Sequence, residues 1–520
     1  MTQLIIMAAY LGLLLVLGAI AHRFFSGTAK DYFLASHSIG PVFLLMSIFG
    51  TTMTAFALVG STGEAFRTGI GVYGMLASWS GLMHVAVFFF VGIRLWAIGK
   101  RFGFVTQVQY FRDRFESNTL GLVLFPVLVA LVIPYLLTGL LGAQAVVGSL
   151  TRGAFPQAFA STQGGLPPWM SGLVICGVVL TYVFFGGMRA AAWANTLQTC
   201  VFMVAGLIAF WAISSSLGGL EAATRKVLES HPERLIRGEA ISQWQFLSYG
   251  LIPLSVGMFP HVFQHWLTAR SASAFRLTIV AHPIFVLLVW APCVLIGVWA
   301  TSAVMPDGSL IVPQGSPPNT ELAIMVQKLT SPALGGLLGA GILAAIMSSL
   351  DSQFFCLGTM FTNDIVVHYF GEDRFDDRRR ILLARCFIVG IVAVAYALSL
   401  ANPRSVFTLG IWCFSGFAGL FPLICASIYW RRVTSAGAYA SILVTGLVWV
   451  LLFRQSGYGV NGGFLFLGMM PVATMFVCSL VALVGVSLLT AAPSAATMNR
   501  YFPSRRASAA SLPALTAPGD

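Results

Sequence analysis

The sequence predicts an all-α protein that crosses a membrane many times, and three observations lead to this fold class. Of its 520 residues, 58% are hydrophobic and only 9% are charged, whereas about a quarter of the residues of a soluble protein are charged. The mean hydropathy is +0.86, so too few polar side chains remain to cover a soluble core. Apolar runs of about 20 residues, the length that crosses the hydrocarbon layer as a helix, recur along the chain. A soluble globular domain is therefore excluded.

These apolar runs predict thirteen membrane spans, because each is long enough to cross the bilayer as a helix. They lie near residues 4–21, 41–63, 71–98, 120–149, 168–187, 190–216, 245–267, 277–303, 333–362, 382–401, 405–430, 435–453 and 464–490. The first run lacks a basic start and a small-residue cleavage site, so we expect an uncleaved span. An odd number of spans places the two termini on opposite sides of the membrane.

The distribution of Lys and Arg predicts which terminus faces the cytoplasm. Of the 29 basic residues, 20 lie in the alternate set of segments that includes the C-terminus, and 9 lie in the other set. We therefore expect a multi-pass protein of the plasma membrane, such as a bacterial inner membrane, with the N-terminus outside and the C-terminus inside. Residues 1–497 form the predicted membrane domain, and 498–520 a short disordered tail. Two outer segments, 217–244 and 304–332, are each expected to contain a short helix.

The sequence predicts neither a cofactor site nor an enzyme. Residues 69–74 (GIGVYG) match GxGxxG, but they open a membrane span instead of following a strand, so no dinucleotide site is predicted. The net charge of +12 is spread over short loops rather than gathered on one face, so nucleic-acid binding is not predicted. The eight cysteines lie in or beside apolar runs without a CxxC or Cys/His spacing. We expect no disulfide framework, structural zinc or other cofactor, no catalysis, and no obligate protein partner.

The first polar segment at membrane depth is Gly50–Thr54 (GTTMT), in the middle of the second span. Gly and consecutive Thr weaken a helix, and Thr can bond back to its own turn. A broken helix frees backbone carbonyls, which are good ligands for a hard cation such as sodium. The alternative is an unbroken helix whose threonines face inward for packing.

The second polar segment is Ser348–Gln353 (SSLDSQ), inside the long ninth span. Ser348, Asp351 and Ser352 share one helix face, because they are three and four residues apart. Helix–helix hydrogen bonding would account for the serines but accounts poorly for a buried acid. The cost of a charge in the membrane favours a functional interpretation.

The third segment is Gly257–His261 (GMFPH) in the seventh span, where Pro260 should break or kink the helix. A plain proline kink is the alternative. This break lies five spans after the one at Gly50, so a unit repeated at that offset would be inverted in the membrane. That plan resembles the LeuT-like transporters, whose broken first helices form a midplane site. The two repeats would cover about 41–216 and 245–430, with one extra N-terminal and two extra C-terminal spans.

Three motifs resemble those of one family, the sodium:solute symporters. Lys30–Ser36 (KDYFLAS) is similar to the family's DYFLAG segment, and Gly186–Gln198 (GGMRAAAWANTLQ) is similar to its GGxxAVxWTDxxQ segment. Ala344–Leu350 (AAIMSSL), followed by Thr362–Ile365 (TNDI), resembles its sodium-site helix. The resemblance extends from residue 30 to residue 365, and the span count fits it throughout.

The resemblance implies a sodium ion held between two helices. Its ligands would be the carbonyls of Gly50 and Met53 from the broken helix, and the Ala345 carbonyl with the Ser348 and Ser349 hydroxyls from the other. Five oxygens without a formal charge suit a monovalent ion that must leave again. Sodium is then the coupling ion rather than a resident cofactor.

The resemblance also bears on the solute. Pro260-His261 matches the "PH" of proline-, pantothenate- and acetate-type members rather than the sugar members, which favours a small carboxylate or amino acid. Half-helix N-termini at the breaks would attract an anionic group. His261 is a candidate donor, although a lone His is as often a packing or capping group. The candidate lining residues are Thr52, Thr54, Phe56, Met258, Pro260 and His261.

One position departs from the family motif. Asn195 stands where the family has Asp near a second cation site, and Asp351 stands where similar relatives carry a small or hydroxyl residue. In the family fold these positions face each other. We hypothesise that the carboxylate has moved from one helix to the other, giving a second cation site of Asn195, Asp351 and Ser352.

The sequence thus predicts a secondary active symporter that couples inward sodium flow to uptake of a small organic solute. Two alternatives remain open. Asp351 could carry a proton, because burial favours the neutral form of a carboxyl group. Some relatives are membrane sensors of signalling proteins, although about 30 residues after the last span leave no room for an output domain.

Overall fold

The computed structural model describes residues 1–23, 27–34, 38–238, 240–401 and 405–502. These residues are almost entirely helical. The longer helices are α1 (Thr2–Arg23), α2 (Ala29–Leu34), α3 (Pro41–Thr52), α4 (Phe56–Thr68), α5 (Gly71–Phe102), α6 (Gln107–Arg114), α7 (Asn118–Leu150), α8 (Pro168–Phe184), α9 (Gly186–Ser216), α10 (Leu220–Ser230), α11 (Gln243–Gly257), α12 (Pro260–Thr268), α13 (Ala272–Ala300), α14 (Glu321–Leu329), α15 (Pro332–Phe370), α16 (Asp377–Ala401), α17 (Val406–Tyr429), α18 (Ser435–Gln455), α19 (Pro471–Leu489) and α20 (Ala495–Tyr501).

The described part of the chain has ten helices long and apolar enough to cross a membrane, or up to twelve if each of two bent pairs counts as one span. The predicted count of thirteen is not confirmed. The candidate span at 168–187 corresponds to α8, which is apolar but shorter than the helices counted here. It meets α9 at a sharp kink, because Gly187 adopts φ 57° and ψ −152°, a conformation that side chains disfavour.

Both predicted helix breaks are present. Helices α3 and α4 meet at 57°, and α11 and α12 meet at 51°. The Thr52 hydroxyl donates to the carbonyls of Ile48 and Phe49 at 2.9 and 3.0 Å, and α3 ends there. The first break therefore falls at residues 53–55, three residues later than Gly50 itself. In the second pair, Phe259 separates α11 from α12. It is extended, as expected for a residue that precedes proline.

Helix α15 lies at the centre of the bundle, and every residue from Leu338 to Met360 is buried. Small residues allow this. A Cβ atom on Gly339 would lie 2.4 Å from Leu150 of α7, and one on Gly341 would lie 2.4 Å from Ala205 of α9. Close approach of backbones is the usual use of small residues between membrane helices. The broken helix α3, together with α1, α7 and α9, therefore packs directly on α15.

The segments outside the spans follow the expectations in part. The two outer segments contain α10 and α14, as predicted. The predicted disordered tail from residue 498 needs a correction, because residues 498–501 belong to α20. This helix is fixed by an ion pair between Arg500 and Asp113 of α6, at 3.0 Å. Residues 503–520 of the predicted tail lie outside the described residues, as do Ala35 and Ser36 of the first motif.

Candidate functional site

The end of α3 meets the middle of α15 through Ser348. The Ser348 hydroxyl lies 2.7 Å from the Gly50 carbonyl and 2.9 Å from the Ala345 carbonyl, and bonds to both. A Cβ atom on Gly50 would lie 2.5 Å from the Thr199 hydroxyl oxygen, so the close approach requires glycine here. Three of the five predicted sodium ligands are thus within one hydrogen-bonded group.

The other two predicted ligands lie beside this group. Met53 directly follows α3 in an extended conformation, with φ −91° and ψ 94°. The Ala57 amide, which would bond to the Met53 carbonyl in a continuous helix, bonds to Thr54 instead at 2.9 Å. The Met53 carbonyl is thereby released from the helix pattern. The Ser349 hydroxyl donates to the Ile346 carbonyl at 2.9 Å, within its own helix.

One turn along α15, Asp351 is completely buried. Its carboxylate accepts hydrogen bonds from the Tyr182 hydroxyl at 3.0 Å and from the Ser352 hydroxyl at 2.9 Å. Among the described residues, no ion pair to Lys or Arg balances this acid. A buried carboxylate without a counter-charge is costly, so this position calls for a bound cation or a proton.

Asn195 faces Asp351 across the gap between α9 and α15. When the Asn195 amide is oriented so that its nitrogen faces the acceptors, the nitrogen lies 3.1 Å from both Asp351 oxygens and 3.1 Å from the Ser348 carbonyl. The amide oxygen then lies 2.9 Å from the Ser352 hydroxyl. The three residues assigned to a second cation site therefore contact one another. His265 of α12 joins them, with its Nε2 at 3.1 Å from the Ser352 hydroxyl.

Sequence reasoning missed Tyr182 and His265. Tyr182 lies in the apolar run of α8, and nothing in its neighbourhood along the chain marks it as a partner of Asp351. His265 was within reach, since it lies four residues after His261 on the same face of a short helix. Only the packing of α8 and α12 against α15 brings these side chains together.

A small cavity of about 30 Å³ lies beside the two helix breaks. Two of the six residues predicted to bind the solute, Thr52 and Phe56, line this cavity. It is also lined by Met53, Ser80, His84, Tyr135, Tyr249, Ile252, Pro253, Ser255, Phe259, Trp290 and Phe414. No Asp, Glu, Lys or Arg is among these lining residues.

The other four predicted solute residues are not among those that line this cavity. The Thr54 hydroxyl accepts from the Phe56 amide at 3.0 Å, inside the break. The Met258 sulfur faces α6, where it accepts from Gln107 at 3.5 Å. Pro260 begins α12, and His261 packs between the rings of Phe259 and Tyr135, at 5.2 and 5.6 Å between centroids.

Helix α6 closes one end of the bundle. Asp364 of α15 accepts from Arg112 at 2.9 Å and from the Thr106 hydroxyl at 2.7 Å, in a buried ion pair. On the other face of α6, the Tyr110 hydroxyl bonds to the Ser427 hydroxyl of α17 at 2.7 Å. Burial raises the pKa of Tyr110, so this hydroxyl stays neutral. The short helix therefore ties α15 to α17.

A much larger cavity of about 670 Å³ lies beside segments 217–244 and 304–332. We call it the Glu321 vestibule; it is lined by Gly60, Gly63, Glu64, Phe66, Arg67, His231, Arg234, Thr301, Leu310, Val312, Gln314, Gly315, Ser316, Pro318, Asn319, Glu321, Ser405, Thr408, Gly459, Val460 and Gly462. Glu321 begins α14, is 8% exposed, and has one carboxylate oxygen, Oε2, without a hydrogen-bond partner among the described residues. Burial raises the pKa of this carboxyl group.

Comparison with known proteins identifies the family of this chain. The sequence model of the sodium:solute symporter family matches residues 32–445. The chain belongs to the sodium:solute symporter family. Members of this family are transporters rather than enzymes. Their activity, and that of this chain, is sodium-coupled uptake of a small organic solute.

Two similar symporters cover nearly the whole chain. The high-affinity proline transporter PutP of Bacillus subtilis (strain 168) is 24% identical over 504 residues, which cover 94% of this chain and 98% of the relative. The sodium/proline symporter of Staphylococcus aureus (strain JH9) is 24% identical over 510 residues, covering 94% and 93%.

Solved structures confirm the LeuT-like fold of this symporter. An outward-open, substrate-bound sodium-coupled sialic acid symporter superposes with a TM-score of 0.76 at 15% identity, covering 95% of this chain and 99% of the other. The transporter MhsT, in complex with L-phenylalanine, has a TM-score of 0.53 at 14% identity, covering 86% and 98%. At these identities the similarity establishes the fold alone.

Proposed function

We propose that this symporter takes up a small solute that bears a carboxylate, an amino acid or an organic acid, by alternating access. The N-terminus and the Glu321 vestibule would face the outside of the plasma membrane, and helix α6 would face the cytoplasm. The distribution of Lys and Arg supports this orientation. The observation that carries the proposal is the group formed by Ser348, Gly50 and Ala345 at the first helix break.

The first coupling ion would bind at this group. A sodium ion would replace the Ser348 hydroxyl proton as the partner of the Gly50 and Ala345 carbonyls, and the Ser348 oxygen would turn to the ion. The released carbonyl of Met53 and the hydroxyl of Ser349 would complete five oxygen ligands. Unwound backbone at the midplane is the usual source of sodium ligands in transporters of this fold.

A second cation would bind at Asp351. The buried carboxylate already has neutral donors in Tyr182, Ser352 and Asn195, and an added positive charge would compensate it. This supports the hypothesis that the acid has moved from position 195 to position 351. The alternative, in which Asp351 carries a proton, makes the protein partly proton-coupled.

The solute would bind in the cavity beside the breaks in a wider state of the transport cycle, because its volume of about 30 Å³ here holds roughly one water molecule. Its buried Tyr135 hydroxyl, Trp290 Nε1 and His84 Nδ1 have no partner among the described residues, so they are available to a ligand. Aromatic rings surround them, as in most small-molecule sites. The start of α12 adds a helix N-terminus, which favours an anionic group. The relatives named for proline and sialic acid both carry solutes with a carboxylate.

A further alternative, a membrane sensor, is separated from a transporter by concentrative uptake. The test uses the purified protein in liposomes, with labelled proline, other amino acids and short-chain carboxylates. Sodium and proton gradients are imposed separately, and protein-free liposomes are the control. We expect accumulation of at least one carboxylate that collapses when the sodium gradient is removed. Accumulation driven by a proton gradient alone, or transport of uncharged solutes only, would contradict the proposal.

A further inference from the structure

The Glu321 vestibule presents separated charges of both signs. Glu321 is nine-tenths buried, and its Oε2 atom has no partner among the described residues. Gly63 of α4 lies directly opposite, where a Cβ atom would be 3.1 Å from Oε2. A buried carboxylate oxygen without a donor is costly and is satisfied by a ligand with N–H groups and positive charge.

The positive side of the vestibule is formed by Arg67 and Arg234. Glu64 holds Arg67 through its Nε and Nη2 atoms, at 3.2 and 2.7 Å, and the side chain remains 54% exposed. A guanidinium group carries five N–H donors, so Arg67 retains donors for an anionic ligand. Arg234 donates from its Nη1 to the Arg67 carbonyl, and its Nε lies 3.9 Å from the carboxylate of the exposed Glu233. The Arg234 side chain is 30% exposed.

The vestibule lies directly above the solute cavity along α4. Gly60 and Gly63 line the vestibule, whereas Phe56, one helical turn earlier, lines the cavity. Phe56 stacks on Phe407 of α17, with ring centroids 5.0 Å apart. Ser405, close to Phe407 in the chain, lines the vestibule. The stacked rings therefore separate the two spaces, and a solute that enters from this end meets Glu321 first.

We propose that the Glu321 vestibule is an outer recognition site for a zwitterionic solute. The Glu321 carboxylate receives the solute's ammonium group, and Arg67 and Arg234 receive its carboxylate. The vestibule volume of about 670 Å³ accommodates a free amino acid. This inference rests on the proposed function, and it narrows the solute from any small carboxylate to one that also carries a positive charge.

The test compares Glu321→Gln with the unmodified protein in sodium-dependent uptake of labelled L-proline. We expect the KM for proline to rise roughly 10- to 100-fold, the range for one hydrogen bond to a charged group, with little change in maximal rate. Tetrahydrofuran-2-carboxylate, which has an ether oxygen in place of the ring nitrogen, should inhibit both proteins with the same constant. A general structural defect would not make this distinction.

Control variants separate charge from folding. Glu221→Gln removes an exposed acid of α10 that does not line the vestibule, and it should leave the KM unchanged. Glu321→Asp, which keeps the charge, should recover part of the lost affinity. If Glu321→Gln does not fold, Gly63→Ala keeps every charge but places a methyl group 3.1 Å from Oε2. It should raise the KM for proline selectively.

Four outcomes would overturn the inference. An unchanged KM for proline in Glu321→Gln excludes the ammonium contact. An equal loss of affinity for proline and for the ether analogue in Glu321→Gln shows that Glu321 does not select for the ammonium group. A change in half-saturating sodium without a selective KM change assigns the vestibule to sodium instead. Uptake of carboxylates that lack an amino group, with none of amino acids, contradicts this inference but leaves the proposed function intact, whereas absence of sodium-driven uptake contradicts the proposed function itself.

Discussion

Replacing Asp351 by Asn removes one negative charge from the centre of the membrane domain and changes little else. The side chain keeps its size, and one of the two oxygens becomes an amide nitrogen. In the unmodified protein Tyr182, Ser352 and Asn195 lie 2.9 to 3.1 Å from these oxygens. The variant therefore asks one question, which is whether the charge at this position holds a coupling cation.

The structure sets the expected magnitude. A contact to a charged group contributes about 1.5–3 kcal/mol, so its loss corresponds to a roughly 10- to 100-fold weaker apparent sodium affinity. Stability should change in the opposite sense. Because the described residues offer Asp351 no ion pair, the neutral amide removes a desolvation cost. In the absence of sodium, the variant should unfold at the same temperature as the unmodified protein or a higher one.

The assay is uptake of a transported solute into proteoliposomes as a function of sodium concentration, combined with thermal unfolding in detergent. Asp307→Asn is the control, because Asp307 is an exposed acid outside the spans. Adding Asn195→Asp should restore part of the sodium affinity, since it returns a carboxylate to a position 3.1 Å away. If Asp351→Asn leaves both uptake and its sodium dependence intact, the assignment of a cation to this position is wrong.

Three other variants test the remaining geometry. Ser348→Ala should raise half-saturating sodium at least roughly tenfold, because it removes a ligand and the bridge to the first break; Ser479→Ala, a buried serine of α19, is the control, and equal effects of the two would contradict the site. Asp364→Asn leaves Arg112 buried without its acid and should lower the free energy of unfolding by about 3 kcal/mol, measured by thermal unfolding. Adding Arg112→Gln should recover part of this stability. An unchanged unfolding temperature in Asp364→Asn would contradict a stabilising role of the ion pair between α6 and α15. Gly187→Ala should lower the unfolding temperature, since the residue has φ 57° and its Cβ would lie 2.7 Å from a ring carbon of α2, at a cost of roughly 1–3 kcal/mol.

Much of the fold could be predicted because the membrane imposes it locally. Each span satisfies its own backbone hydrogen bonds, so a run of apolar residues is enough to identify it. The two breaks were also visible in the chain, at the threonines after Gly50 and at Pro260. The count of spans was less secure, because α8 and α9 are separated only by the conformation of Gly187.

The site could be predicted only where its residues recur in one helix. Ser348 and Asp351 were found through their spacing in an apolar run and through a family motif. Tyr182 and Trp290 could not be found, since each is an aromatic residue in an apolar helix with no local pattern. Glu321 was hidden for a different reason. It lies in a polar segment where an acid is ordinary, and only its burial against Gly63 makes it unusual.

The two proposed cation positions share one residue, Ser348, and this bears on how two ions would act together. The Ser348 hydroxyl donates to the Gly50 carbonyl at the first position, while the Ser348 carbonyl lies 3.1 Å from the Asn195 amide nitrogen at the second. An ion that turns the hydroxyl therefore acts on the same peptide segment that orients the partners of Asp351. Two ligands that order the same segment bind cooperatively, because the segment loses its conformational entropy when the first ligand binds and the second ligand binds an ordered segment. Sodium dependence of uptake should then be sigmoidal in the unmodified protein and hyperbolic in Asp351→Asn, where a single ion remains. A sigmoidal curve that survives in this variant would place the second ion elsewhere.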